Sequence, residues 1–173
     1  MGHPDDHVPV RQRTIHWSDP AALAEGARNL TGRGFLEAML AGALPHPPIC
    51  HLVDFGFDEV GDGVVGMTFS PAEFQYNPMG SVHGGAISTV LDSVMGCAVH
   101  SQLRQRQGYT TLELKVNMLR AVRAETGPMR ATGRVLHLGR RTAMAEGSLV
   151  DAAGKLYAQA TTTCLIFDLP TES

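Results

Sequence analysis

Cysteine is scarce in this chain, with only Cys50, Cys97 and Cys164 present. Their spacing fits no metal motif, and an odd number argues against a disulfide framework. They read as buried thiols in a reducing compartment. Long apolar runs are missing as well: no stretch reaches the roughly 18 residues that a membrane helix needs. The opening MGHPDDHVPV is acidic and polar. It has neither the positive start nor the apolar centre of a signal peptide, so a cytoplasmic location is expected. Positive charge is not in excess either. The 14 Lys and Arg against 17 Asp and Glu leave a net charge of -3. No basic field recommends a nucleic-acid partner. The dense basic runs, Arg104 with Arg106 and Arg140 with Arg141, are too short for a DNA or membrane patch. Either could meet a ligand phosphate.

What is present fits one domain. A chain of 173 residues buries roughly 70% of its unfolded surface, enough for a proper core. There is no internal repeat and no low-complexity tract. Residues 1–17 read as a loosely attached leader that Trp17 pins to the body. Its HPDDH run, His3 to His7, reads as a solvated tail rather than a metal site. Ser18-Asp19-Pro20 signals a helix start, and two short helices follow, split near Gly32 and Gly34. LPHPP, Leu44 to Pro48, breaks regular structure. From Ile49 the alternation of ICHLVDFGFDEV predicts a strand that pairs through a GDG turn with VVGMTFS. A loop leads to an apolar helix over His83–His100, and four more strands complete the chain. The expected division is an N-terminal extension, 1–45, and a main domain, 46–173. Six antiparallel strands can hide one face by wrapping around a single helix that is apolar on nearly every side. Their free edges then favour oligomerisation.

That helix contains a carboxylate. Asp92 shares its face with Gly85, Ser88, Thr89 and Gly96, at helical spacings of three, four and seven. Small residues let a ligand or another backbone approach closely. A partly desolvated carboxylate there is suited to act as a base, although a structural Asp is the plain alternative. At the helix start, His83-Gly84-Gly85 offers free N–H groups at the positive end of the helix dipole. They suit an anion, or a carbonyl oxygen becoming one. Gly84 and Asp92 are eight residues apart, roughly 12 Å along one helix. If both act on the same carbonyl, the second group must come from another copy of the chain.

Asn77-Pro-Met-Gly80-Ser-Val-His83-Gly84-Gly85, followed by Asp92, resembles the hotdog-fold acyl-CoA thioesterases, closest to the PaaI-like, phenylacetate-degradation branch. The resemblance spans about residues 49–167. It implies an α+β hotdog fold, with an antiparallel sheet of about six strands around one long helix. It implies hydrolysis of an acyl-CoA to a free acid and CoA, with no cofactor and no metal. Asp92 would match the catalytic carboxylate, acting as general base or nucleophile, and the Gly84 N–H the group that polarises the thioester carbonyl. Asn77 would help hold that carbonyl or the water, and His83 would order the loop. Thr111, with Thr110 as the fallback, would lie near the attacking water. Gly80, Gly85 and Ser88 would line the substrate site, and Arg140 and Arg141 would meet coenzyme A phosphates. A homodimer at least, and a homotetramer by resemblance, is implied. Met79, Met95, Phe74 and Tyr76 suggest an apolar acyl pocket.

Two other functions stay open on the sequence. One is a hotdog enoyl-CoA hydratase or 3-hydroxyacyl thioester dehydratase, with His83 working beside Asp92. The other is a non-catalytic acyl-CoA-binding protein. No nucleophile elbow competes, because GSVHG around Ser81 is not G-x-S-x-G. Cys97 inside the apolar helix reads as structural, and His100 and His137 read as ordinary helix-end and strand histidines.

Overall fold

The computed structural model describes residues 9–170. Helices α1 (Ala21–Asn29), α2 (Gly32–Leu40) and α3 (Pro48–Val53) precede the strands β1 (Phe55–Val60) and β2 (Val64–Phe69). The long helix α4 (Gly84–His100) follows. Then come β3 (Gln107–Met118), β4 (Met129–Leu138), β5 (Thr142–Val150) and β6 (Leu156–Asp168). The strands form one sheet in the order β1-β2-β4-β5-β6-β3. Every neighbouring pair is antiparallel. The sheet curls around α4, as the hotdog fold requires.

The helix is buried because its sequence leaves little polar surface. Val90, Leu91, Val94, Met95, Ala98 and Val99 are each 0% exposed. The strands over it carry glycines where the backbones nearly touch. A Cβ on Gly133 of β4 would sit 2.4 Å from the Val94 carbonyl oxygen. Any side chain there would push the sheet off the helix. Among the described residues no helix is long and apolar enough to cross a membrane.

Strand β3 pairs only with β6, so its other side is a free edge. It is 12 residues long and exposes Leu112 (59%) and Met118 (44%). A long, partly apolar edge of this kind invites pairing with another strand.

Two expectations for the first half need correction. Ile49–Val53 is not strand but the body of α3. Pro48 takes the first helical turn, where its missing N–H costs nothing. Asp54 ends the helix in the left-handed region at φ 68°. The short alternation in ICHLV does not distinguish the two states. Trp17 does not pin the leader, since it is 57% exposed. Arg13 does so instead: it donates to the His51 and Leu52 carbonyls and lies 3.7 Å over the Phe74 ring. Leu36 and Met39 of α2 are buried in the main core. The HPDDH run, His3 to His7, lies outside the described residues.

Candidate active site

The loop before α4 is built from its own side chains. Asn77 Oδ1 accepts from the Met79 N–H (2.9 Å) and the Ser81 N–H (3.4 Å). Its Nδ2 donates to Ser81 Oγ at 3.1 Å, and Gly80 closes the turn at φ 74°. Asn77 therefore shapes the turn first. The loop is tied down from both sides. The Val82 N–H donates to the Val122 carbonyl and the His83 N–H to the Gln75 carbonyl. Gln75 is itself buried, its amide donating to the Val53 and Ser70 carbonyls. Sequence reading missed Gln75, because only the folded chain brings Val53 and Ser70 to it.

His83 is the N-cap of α4, and its Nδ1 accepts from the Gly85 N–H at 2.9 Å. The next two amides, of Ala86 and Ile87, both donate to the His83 carbonyl. Of the four orphan donors of the first turn, this leaves Gly84, whose N–H has no acceptor among the described residues. Gly84 lines an open pocket of about 300 Å³ together with Asn77, Ile87 and Met118. An unpaired N–H at a helix N-terminus, facing a pocket, is an oxyanion donor in form.

Asp92 lies two turns further along α4 and is half-buried. Thr111 of β3 donates its hydroxyl to Asp92 Oδ1 at 2.8 Å. That bond fixes the carboxylate and leaves Oδ2 without a hydrogen bond among the described residues. Thr110, the neighbouring candidate, points to the other face and is exposed. The small-residue stripe is only partly open. Thr89 donates back to the Gly85 carbonyl, and Tyr109 fills the space over Gly96, where a Cβ would meet its hydroxyl at 2.5 Å. Ser88 is half-buried on the same helix.

Gly84 and Asp92 both meet β3, but at opposite ends. A Cβ on Gly84 would lie 3.5 Å from Met118 Cε, at the last residue of the strand, whereas Asp92 bonds Thr111 near its start. Arg140 and Arg141 line a pocket of about 500 Å³ with Arg104, Gln107 and Asp168. Gln107 opens β3, so this arginine pocket lies at the Asp92 end. The four residues suggested for an acyl pocket do not converge. Met79 is 85% exposed and Met95 0%. Phe74 is covered by Arg13, and the Tyr76 hydroxyl accepts from the Ala124 N–H. The thiols are poor nucleophiles. Burial pushes Cys97 up to about 12 and Cys50 up to about 11, and the thiolate is the reactive form. Among the described residues no group of His, Cys, Asp and Glu could hold a metal ion.

Residues 79–158 match the family model for the Thioesterase superfamily. The chain is 27% identical over 121 residues to the 1,4-dihydroxy-2-naphthoyl-CoA hydrolase of Escherichia coli K12, covering 70% of this chain and 86% of that one. A conserved protein from Pseudomonas aeruginosa is 34% identical, with a TM-score of 0.66 over 70% of this chain and 95% of that one. A putative thioesterase related to phenylacetic acid degradation, from Ralstonia eutropha JMP134, is 30% identical with a TM-score of 0.69. It is aligned over 75% of this chain and 98% of its own length. With the six-stranded sheet around α4, these likenesses establish that the chain belongs to the thioesterase superfamily of hotdog-fold enzymes and is a thioester hydrolase.

Proposed function

We propose that the protein is a cytoplasmic acyl-CoA thioesterase whose active sites are shared across a homodimer. The observation that carries the reading is one of placement. The unpaired Gly84 N–H and the Thr111-held Asp92 carboxylate sit at opposite ends of one free edge strand. They are roughly 12 Å apart along α4, too far to act on one carbonyl. Antiparallel pairing of β3 with β3 of a second copy brings them together. With Leu114 opposite the partner's Lys115, Thr111 lies beside the partner's Met118. Asp92 then faces Gly84 of the partner subunit. The arginine pocket falls at that same end, so one chain supplies Asp92, Thr111, Arg140 and Arg141. The other supplies Asn77, Gly80, His83, Gly84 and Gly85. Two such dimers pack into the homotetramer that the resemblance implies.

In this site the thioester carbonyl oxygen accepts from the Gly84 N–H, with Asn77 shaping the loop around it. Asp92 takes a proton from water as the water oxygen bonds to the carbonyl carbon. The negative charge gathers on the carbonyl oxygen, where Gly84 and the helix dipole stabilise it. Collapse of the adduct breaks the C–S bond, and CoA leaves as the thiol once it is protonated. The alternative is direct attack by Asp92 to give an anhydride; water opening that anhydride at the Asp92 carboxyl carbon would leave ¹⁸O from solvent in Asp92 after a single turnover, which general-base hydrolysis cannot do. Arg140 and Arg141 pair with CoA phosphates. The CoA thioester named for the Escherichia coli relative supports CoA as the carrier.

The hydratase reading is disfavoured by His83. Its Nδ1 accepts from the Gly85 N–H, so a neutral ring carries its proton on Nε2 and offers a donor, not a base. Thiol release from a panel of acyl-CoAs, with Asp92→Asn beside the wild type, tests the proposal. Loss in the variant by a factor of about 10³ is expected if Asp92 is the base or nucleophile. Equal release by both proteins would remove Asp92 from the mechanism.

A further inference from the structure

A buried glutamine is uncommon, because both ends of its amide must find partners away from water. Gln75 is 8% exposed, and each end is served. Its Nε2 donates to the Val53 and Ser70 carbonyls, and its Oε1 accepts from the Ala72 N–H at 2.8 Å. The two carbonyls are fixed points. Val53 ends α3 and Ser70 follows β2. The Ser70 N–H donates to the Asp54 carbonyl at 2.9 Å, which continues the β1/β2 ladder beyond its end pair, Phe55 with Phe69. Phe69 is 0% exposed, so this end of the ladder is anchored in the core.

The backbone of Gln75 holds the loop before α4. Its carbonyl accepts from the His83 N–H at 2.8 Å, and the Asn77 N–H donates to the Ser81 carbonyl at 2.8 Å. Between those bonds Tyr76 and Val82 pair as an antiparallel bridge. Residues 75–83 are therefore a small hairpin around the Asn77 turn, and Gly84 is the next residue along. The peptide plane that carries the Gly84 N–H starts at the His83 Cα. When the hairpin tilts, that N–H tilts with it.

Gln75 sits at the root of the hairpin. Asn77, Ser81 and Val82 line the pocket at Gly84, and Gln75 does not. Any effect of its side chain on turnover therefore passes through the hairpin. An apolar side chain would fill the same space without direction. A fully bonded amide instead fixes orientation, because a satisfied buried polar network rigidifies what it joins.

We infer that Gln75 is a positioning residue for thioester hydrolysis: its side-chain amide fixes the root of the 75–83 hairpin and so aims the Gly84 N–H at the thioester carbonyl oxygen. The inference rests on the thioesterase reading with Gly84 as oxyanion donor. Such donors act within narrow limits, about 2.7–3.1 Å from the developing oxyanion. A misplacement of about 1 Å can cost 10²-fold.

Gln75→Met keeps the length of the side chain and removes its hydrogen bonds. In this variant kcat for thiol release should fall about 10- to 100-fold, with KM within about threefold, since the arginine pocket stands apart. Repeating the change in Gly84→Pro separates positioning from general loosening. With no Gly84 N–H to aim, Gln75→Met should there alter kcat less than about twofold, whereas loosening would lower both backgrounds alike. Gln75→Glu is the second variant, should Gln75→Met fail to fold. Protonated, its carboxyl donates to one of the two carbonyls and still accepts from Ala72. Ionised, it sets a negative charge against both carbonyl oxygens. Its kcat relative to wild type should therefore fall as pH rises. An equal loss in both Gly84 backgrounds, a change in KM alone, or a Gln75→Glu ratio flat with pH overturns the inference while leaving thioester hydrolysis in place. Amide hydrogen exchange gives a readout that needs no turnover. The His83 N–H should lose about tenfold or more of its protection in Gln75→Met, with the amides of Val90 and Leu91 unchanged. Unchanged protection at His83 overturns the inference even in a protein that hydrolyses no thioester.

Discussion

Replacing Gly84 with proline removes one hydrogen from the proposed site and little else. Proline is at home in the first helical position, where its fixed φ and missing N–H are tolerated. His83, the residue before it, already has the extended backbone that proline demands (φ -60°, ψ 136°). The Gly84 N–H has no intramolecular partner to lose, and a side chain at 84 meets Met118 Cε at 3.5 Å, an ordinary contact. The helix should therefore survive, with thermal unfolding within about 1 kcal/mol of the wild type, the usual size of a tolerated surface change. The oxyanion donor is gone, and losing one such donor costs about 10²–10³ in kcat. Gly84→Ala, which keeps the N–H, is the control for bulk. Both variants would be assayed for thiol release from an acyl-CoA under single-turnover and steady-state conditions. Gly84→Pro within about threefold of Gly84→Ala would refute the assignment, since a donor worth hundreds-fold cannot be lost so quietly.

Thr111→Val keeps the shape but removes the hydroxyl that donates to Asp92 at 2.8 Å. A hydrogen bond to a charged group contributes about 1.5–3 kcal/mol, so kcat should fall roughly 10- to 100-fold, with Thr111→Ser restoring most of it. Equal rates in both variants would show that the hydroxyl does not position the carboxylate. The buried His100 should make the fold acid-sensitive, because burial lowers its pKa from 6.5 to about 4. The unfolded chain then binds more protons between those values, so stability is full above pH 6.5 and is lost as pH falls through 4. The total is about 3 kcal/mol at 1.36 kcal/mol per pH unit. His100→Phe should remove that slope in denaturant titrations at pH 7 and pH 4, and an unchanged slope would place the titration elsewhere.

The parts of this protein that were legible in the sequence are those written locally. Asn77 to Asp92 lie within one loop and one helix, so turn chemistry, capping glycines and helical spacing expose them directly. The six-stranded sheet around an apolar helix followed from the same pattern, since residues such as Val90, Leu91 and Val94 leave α4 no solvent face. What was not legible is assembled across the chain. Gln75 acquires meaning from Val53 and Ser70, and Arg13 from His51 and Phe74. His100 acquires it from Phe35 and Tyr109, which are supplied by α2 and β3. Ile49–Val53 misled because five residues are too few to separate alternation from a short helix opened by proline. Gly96 read as an approach for ligand, but the fold places the Tyr109 ring there.

Mixing subunits reads out whether each active site draws Asp92 from one chain and Gly84 from another. Asp92→Asn and Gly84→Pro should each retain about 1% or less of wild-type release alone. Unfolded together in equal amounts and refolded, half of the dimers pair one variant with the other. In each such dimer one site carries both defects and the other carries neither, so about a quarter of wild-type thiol release should return. If a single chain supplied both groups, every site in the mixture would carry one defect, and release would stay at the level of the separate variants.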